Sequence, residues 1–127
     1  MFFITILAAT NVLANNIQPY SNNVRSTGAS FTISSTGKAT ISVEYSGISG
    51  ITKTATISSK IQKKIGLIWV TVNGAKWEDT SKSTNFSKTH SVQLSENGNY
   101  RAIITFVISG NGGKDDEITK KIEKIHA

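Results

Sequence analysis

The chain has 127 residues and no cysteine, which predicts one domain with a single core and excludes disulfide bonds and thiolate metal sites. Its formal charge of +6 favours anionic partners such as wall polymers, although lysines that merely keep sheet faces soluble give the same balance. Twelve of the fourteen basic residues are lysine, and this scarcity of arginine argues against nucleic acid as a partner.

The first fourteen residues predict a secretory signal peptide. Met1–Ala14 is apolar, is too short to span a bilayer, and ends in the small-residue cleavage pattern Val12-Leu13-Ala14. No basic residue precedes the apolar run, so either the true start lies upstream or the amino terminus alone supplies the positive charge. A first core strand is the alternative for this segment. We expect cleavage to release a secreted, extracellular domain that does not insert stably into a membrane. A secreted chain without cysteine is typical of a bacterial, Gram-positive exterior.

The rest of the chain predicts a flexible lead-in followed by a β-sandwich. Residues 15–28 are polar, contain the only proline, and form the lead-in. Residues 29–127 are rich in Ser, Thr, Ile and Val, with a turn signal about every ten residues. This pattern predicts an all-β fold, an immunoglobulin-like β-sandwich of about seven antiparallel strands in two sheets. Strands A, B and E are expected to pack against C′, C, F and G.

Alternation of apolar and polar residues with period two predicts strands A, B and C. Their inner faces are predicted to carry Phe31 and Ile33, then Ala39, Ile41, Val43 and Tyr45, then Ala55, Ile57, Ser59 and Ile61. Strand C′ is predicted over Leu67–Val72 and is closed by an Asn73-Gly74 turn. A polar loop over residues 79–85 is expected before strand E, which spans His90–Leu94 with His90 capping the core.

The stretch from Leu94 to Ala102 predicts a tyrosine corner, the feature that opens strand F in immunoglobulin-like sandwiches. We expect the Tyr100 hydroxyl to bond back across the E–F connection, and Ala102 stands where antibody domains carry a buried cysteine. Residues 115–126 are ambiguous, because their isoleucines have helical spacing while the same residues also alternate. A sandwich needs a strand G beside strand F, and this requirement favours a strand.

Two sets of side chains are candidate binding residues. Four basic residues share the outward parity of strands C, F and G and predict a basic face, namely Lys60, Lys64, Arg101 and Lys121. Four aromatic residues are candidates for a platform that stacks sugar rings, namely Trp69, Trp77, Tyr20 and Tyr45. Packing of the tryptophans in the core or at a sheet edge is the commoner alternative.

No catalytic, cofactor or metal site is predicted. Only two histidines are present, and no Gly-x-Ser-x-Gly nucleophile motif occurs. The adjacent carboxylates of Glu78 and Asp79 point to opposite faces of a strand. The acidic run at residues 115–117 lacks the spacing of a calcium loop. We therefore expect a protein that is not an enzyme.

Strand and turn motifs across the mature domain also resemble those of a known family. The motifs are Ala29-Ser30-Phe31-Thr32-Ile33, Ile61-Gln62-Lys63-Lys64 followed by Trp69-Val70-Thr71-Val72, Gly98-Asn99-Tyr100-Arg101-Ala102, and Asp116-Glu117-Ile118-Thr119-Lys120. On them the chain resembles small secreted proteins of low-GC Gram-positive bacteria with an immunoglobulin-like or fibronectin-type sandwich. The resemblance implies a secreted β-sandwich without an assigned activity, and it implies no functional residue.

The sequence favours a secreted, non-enzymatic binding or adhesion module at the cell surface or wall. Its expected partner is an anionic wall polymer, a glycan or a protein. The alternative is a small secreted effector or inhibitor that acts on a foreign protein. Ligand loops are expected at residues 46–52, 74–85 and 110–115, because binding residues concentrate on loops that a rigid scaffold positions.

Overall fold

The computed structural model describes residues 21–127. The predicted signal peptide and residues 15–20 of the lead-in, including Tyr20, lie outside the described residues. Seven strands follow one another, namely β1 (Val24–Ile33), β2 (Lys38–Gly47), β3 (Thr52–Ile65), β4 (Ile68–Ser81), β5 (Asn85–Gln93), β6 (Gly98–Gly110) and β7 (Gly113–His126).

The strands form two antiparallel sheets. One sheet has the order β1-β2-β5, and the other has the order β4-β3-β6-β7. This arrangement confirms the predicted sandwich of strands A, B and E against C′, C, F and G. The ambiguous C-terminal segment is strand β7, hydrogen-bonded to β6 along its length.

The core lies between the two sheets and consists of the alternating apolar residues of the central strands. The predicted inner residues of β2 and β3 are all buried, and β6 adds the largest share. The fully buried large side chains include Phe31, Ile41, Val43, Ile57, Ile61, Ile104, Phe106 and Ile108. Because successive side chains on a strand point to opposite faces, the same alternation sends the polar residues outward.

Three predicted boundaries were wrong. β1 begins at Val24, so residues 24–28 belong to the first strand and not to a flexible lead-in. β4 continues through Asn73-Gly74 to Ser81, so most of the expected loop at 74–85 is strand. β5 begins at Asn85 and not at His90, because it pairs with β2 from Lys38 to Ser46, nearly the full length of that strand.

The start of β1 is held by a buried carboxylate on β7. Asp116 accepts hydrogen bonds from the backbone N–H groups of Asn22 and Asn23, at 2.8 and 2.7 Å. The side chain of Asn23 is itself buried, and its amide oxygen accepts a bond from the Gly112 N–H at 2.8 Å. Gly112 must be glycine, since a Cβ there would lie 1.9 Å from the Asn22 carbonyl oxygen. Asp116 is therefore a structural residue that ties both ends of the domain together.

The tyrosine corner forms as predicted. Tyr100 is buried, and its hydroxyl donates a hydrogen bond to the backbone carbonyl of Glu96 at 2.6 Å. Ala102 is fully buried two residues later, where it packs within the core. Burial raises the pKa of the Tyr100 hydroxyl. The corner fixes the β5–β6 connection against the first residues of strand β6.

Candidate functional site

The outer face of the four-stranded sheet brings the predicted basic residues together. Strand register places Lys60 of β3 beside Ile103 of β6, and Ile103 beside Lys121 of β7. Arg101 lies one row nearer the β3–β4 turn, and Lys64 lies beyond it on β3. All four residues therefore point away from the core on the same side of one sheet.

A bulge in β4 decides which face each tryptophan occupies. Gln62 pairs with Thr71, yet Lys60 pairs with Lys76, so β4 contains extra residues around Asn73-Gly74. Gly74 has a φ of 79°, a left-handed conformation that glycine adopts without strain. The extra residues invert the parity of the strand. Side chains at odd positions point outward before the bulge and inward after it.

The two tryptophans consequently lie on opposite faces and do not form a common platform. Trp69 pairs with Lys64 on the outer face. Trp77 points inward and packs against the core, as the alternative of core or edge packing predicted. Tyr45 is buried, and its hydroxyl donates to the Ser83 carbonyl at 2.6 Å. The prediction of an aromatic platform that combines Trp69, Trp77 and Tyr45 is therefore wrong.

Trp69 instead makes cation–π contacts with two of the basic residues on the outer face. The Arg101 guanidinium lies 4.4 Å from the centroid of the Trp69 ring, and the Lys64 ammonium lies 6.0 Å from it. The Arg101 Nε–H also donates to the side-chain oxygen of Gln62 at 2.8 Å. Stacking and hydrogen bonding together hold the guanidinium in place. A sugar ring would have to displace Arg101 in order to stack on this face of the indole.

A row of lysines, here named the cationic row, crosses the middle of the same face. Lys76 of β4 and Lys60 of β3 are direct cross-strand partners, and Lys121 lies in the same row on β7. None of the three belongs to either of the two ion pairs found within residues 21–127. A shallow depression of about 490 Å³ opens beside the row. Its lining includes Ser58, Lys60, Lys76, Glu78, Ile103 and Thr105.

His90 and Asp79 close the edge where β4 of one sheet meets β5 of the other. Their side chains are largely buried, and His90 Nε2 lies 2.6 Å from Asp79 Oδ2. The imidazole stacks on Trp77 with 4.9 Å between ring centroids and 8° between planes. The pair was not predicted, because the bulge moves Asp79 to the inner face. We interpret the contacts of His90 with Asp79 and Trp77 as interactions that hold the two sheets together at this edge.

Within residues 21–127, no group of three potential ligands could hold a metal ion. No helix in the same part of the chain is long and apolar enough to cross a membrane. No model of a known protein family matches this chain, and no curated protein matches it.

Proposed function

We propose that this chain is a secreted, non-enzymatic binding module of the bacterial cell surface or wall. Its resemblance to small secreted Gram-positive proteins supports secretion and assigns no activity. Its ligand surface is the outer face of the four-stranded sheet, and its ligand is an anionic polymer. The observation that carries the proposal is the cationic row of Lys76, Lys60 and Lys121, none of which forms an ion pair within residues 21–127.

The cationic row costs the fold stability. Like charges directly opposite each other on neighbouring strands destabilise a sheet by roughly 0.2–1 kcal/mol. Lys60 and Lys76 form such a pair. An acid at either position would instead give an attractive pair, as Lys63 and Glu96 form elsewhere in the domain. A pair that lowers stability where an attractive pair would fit is better explained by a ligand than by solubility.

The spacing of the row suits a polyanion. Neighbouring strands lie about 4.8 Å apart, so the row extends roughly 15 Å across the four strands. A polymer whose negative charges repeat along its length can contact all three lysines in one bound conformation. The hydroxyl groups of Ser58 and Thr105 line the depression beside the row and can donate to its oxygens.

The test is co-sedimentation with purified Gram-positive walls over a series of salt concentrations. Wild type is compared with a Lys60→Gln, Lys76→Gln, Lys121→Gln variant and with a control that loses the same charge elsewhere, Lys82→Gln, Lys88→Gln, Lys114→Gln. Each lysine near an anionic surface contributes about 1 kcal/mol, so the row variant should bind at least about tenfold more weakly. Binding should also fade as salt screens the charges, since the Debye length is about 10 Å at 0.1 M.

Equal binding by the row variant and wild type would overturn the proposal. Binding that survives high salt and is lost with Trp69→Ala would replace the polyanion by a glycan, because stacking depends little on salt. If no form binds walls, the effector or inhibitor hypothesis becomes the better one.

Secretion is part of the proposal and has its own test. The small-residue pattern at Val12-Leu13-Ala14 predicts Asn15 as the mature N-terminus. Mass spectrometry of the exported protein should find that terminus. An exported, folded product that still contains Phe2 and Phe3 would contradict the signal peptide.

A further inference from the structure

The turn between β3 and β4 exposes a cluster of large apolar side chains. Leu67 is 94% exposed, Ile68 62%, Ile65 54% and Val70 41%. We name these four residues the apolar tip. The only other exposed large hydrophobic residue described is Ile125. An exposed apolar cluster rimmed by polar residues marks a surface that binds a protein or a membrane.

The apolar tip is a rigid extension of the sheet. Ile65 pairs with Ile68, so Gly66 and Leu67 form a two-residue turn at the apex. Behind the apex, Lys63 forms an ion pair with Glu96, whose carbonyl also accepts the Tyr100 hydroxyl. That contact raises the pKa of Lys63 and lowers the pKa of Glu96. The Lys63–Glu96 pair therefore links the base of this hairpin to the tyrosine corner.

Basic and aromatic groups lie behind the apolar tip at one level, on the outer face of the sheet. Lys64 and Trp69 are direct cross-strand partners, and Arg101 stacks on the same indole. Lys64 and Trp69 lie two to three residues behind Leu67, which is roughly 7–10 Å along a strand. Tryptophan is enriched at the level of lipid headgroups, and long basic side chains reach their charges toward that level.

We propose that the apolar tip docks end-on into an anionic lipid surface. Leu67, Ile65 and Ile68 enter the boundary between headgroups and acyl chains, a depth of about 5–10 Å for interfacial segments. At that depth Trp69 lies at the interface, and Lys64 and Arg101 lie among the headgroup phosphates. The contact is peripheral and reversible. It uses residues other than the cationic row, so it goes beyond the proposed function and does not depend on it.

A second copy of the chain fits the apolar tip less well than a bilayer does. A stable dimer buries roughly 800 Å² on each partner, contributed by 20–30 residues. The four side chains of the tip are too few for such an interface. The basic surroundings would also bring Lys64 and Arg101 of one copy toward those of the other, whereas anionic headgroups attract them.

The test is co-sedimentation of the whole chain with vesicles of phosphatidylcholine alone or mixed with an equal amount of phosphatidylglycerol. Wild type is compared with a Leu67→Ser, Ile68→Ser variant and with Ile125→Ser, a control that removes an exposed apolar side chain outside the hairpin. All three carry the same residues 1–20, so any difference between them reports on the substitutions. Each variant's far-ultraviolet circular dichroism and thermal midpoint should match wild type, because Leu67, Ile68 and Ile125 are all largely exposed.

We expect wild type and Ile125→Ser to bind the anionic vesicles equally and the tip variant to bind at least tenfold more weakly. In a Trp77→Phe background, brominated lipids should quench the remaining Trp69 fluorescence. Equal sedimentation of the tip variant and wild type would overturn the proposal, as would equal binding to neutral vesicles. Self-association that the tip substitutions abolish, without vesicle binding, would identify a second copy as the occupant instead.

Discussion

Replacing Asp116 with alanine should destabilise the domain more than replacing any other carboxylate of β7 with alanine. The substitution removes the acceptor for the N–H groups of Asn22 and Asn23, one of which is buried. A hydrogen bond to a charged group contributes about 1.5–3 kcal/mol, and a buried N–H left without an acceptor adds its desolvation cost. We expect a loss of about 3–5 kcal/mol, out of the 5–15 kcal/mol typical of a whole domain.

Urea denaturation followed by circular dichroism measures this loss as a shift of the midpoint. Asp115→Ala is the matched control, since Asp115 is exposed on the same strand, and it should stay within about 0.5 kcal/mol of wild type. Asp116→Asn should fall between the two, because one amide oxygen remains an acceptor while the new NH₂ faces an N–H donor. If Asp116→Ala unfolds together with Asp115→Ala, the carboxylate does not anchor the start of β1.

Three further outcomes follow from the core and its edges. Tyr100→Phe should cost about 0.5–1.5 kcal/mol by removing the bond to the Glu96 carbonyl, and Tyr100→Ala roughly 3–5 kcal/mol by leaving a cavity, both measured as denaturant midpoints. His90→Ala should lower stability by about 1–3 kcal/mol, and adding Asp79→Ala should cost less than it does alone, which a double-mutant cycle would reveal. Burial lowers the pKa of the inward-facing Lys120, so its charged form opposes folding below that pKa, and this penalty fades as pH rises toward 10.5. Lys120→Met should therefore stabilise the domain at pH 7 by less than about 1 kcal/mol, because Lys120 is only partly buried and solvent screens its charge. The gain should shrink as the pH rises from the lowered pKa toward 10.5, measured by urea titrations at each pH.

The central strands could be predicted from the sequence because burial on one face leaves a direct mark. Ile41 and Val43 of β2, or Ile57 and Ile61 of β3, alternate with polar residues throughout their strands. The tyrosine corner was equally predictable, since its hydrogen bond closes within four residues of the same chain segment. Contacts between residues a few positions apart can be predicted from the sequence of that segment alone.

The bulge in β4 was not predictable in the same way. Asn-Gly between two apolar stretches is a strong signal for a hairpin turn, and Asn73-Gly74 carries it. Here the chain continues in the same direction, because residues 76–81 still find hydrogen-bonding partners on β3. The competing principle is register. A glycine with positive φ can reverse the chain or add residues to one strand, and only the partner strand decides between them.

The anchoring of β1 also lay beyond sequence reasoning. Asn23 and Asp116 are 93 positions apart, and no sequence motif joins them. Asp116 is one of three consecutive acids, which resembles a solvated turn. The glycines at 110–113 had a second use that composition could not reveal, since Gly112 admits the backbone of Asn22. Long-range polar contacts leave no periodic signal, so they appear only once the fold is known.

The cationic row and the apolar tip together predict the orientation of the domain on a membrane. Lys60 lies five residues before Ile65, the last residue of β3, so the cationic row is about 17 Å from the base of the turn that carries the apolar tip. With the tip in the headgroup region, β3 and β4 point away from the bilayer and the outer sheet face turns sideways. Lys64, which lies among the headgroup phosphates, is only four residues from Lys60, or about 13 Å along β3, so the cationic row lies near the Debye length of about 10 Å at 0.1 M salt and still feels a partly screened attraction to the headgroups. A polyanion above the bilayer would meet the row while the tip stays in place. Anionic lipid should therefore weaken binding of the polyanion at low salt, and the two ligands should bind independently once added salt screens the headgroup charges.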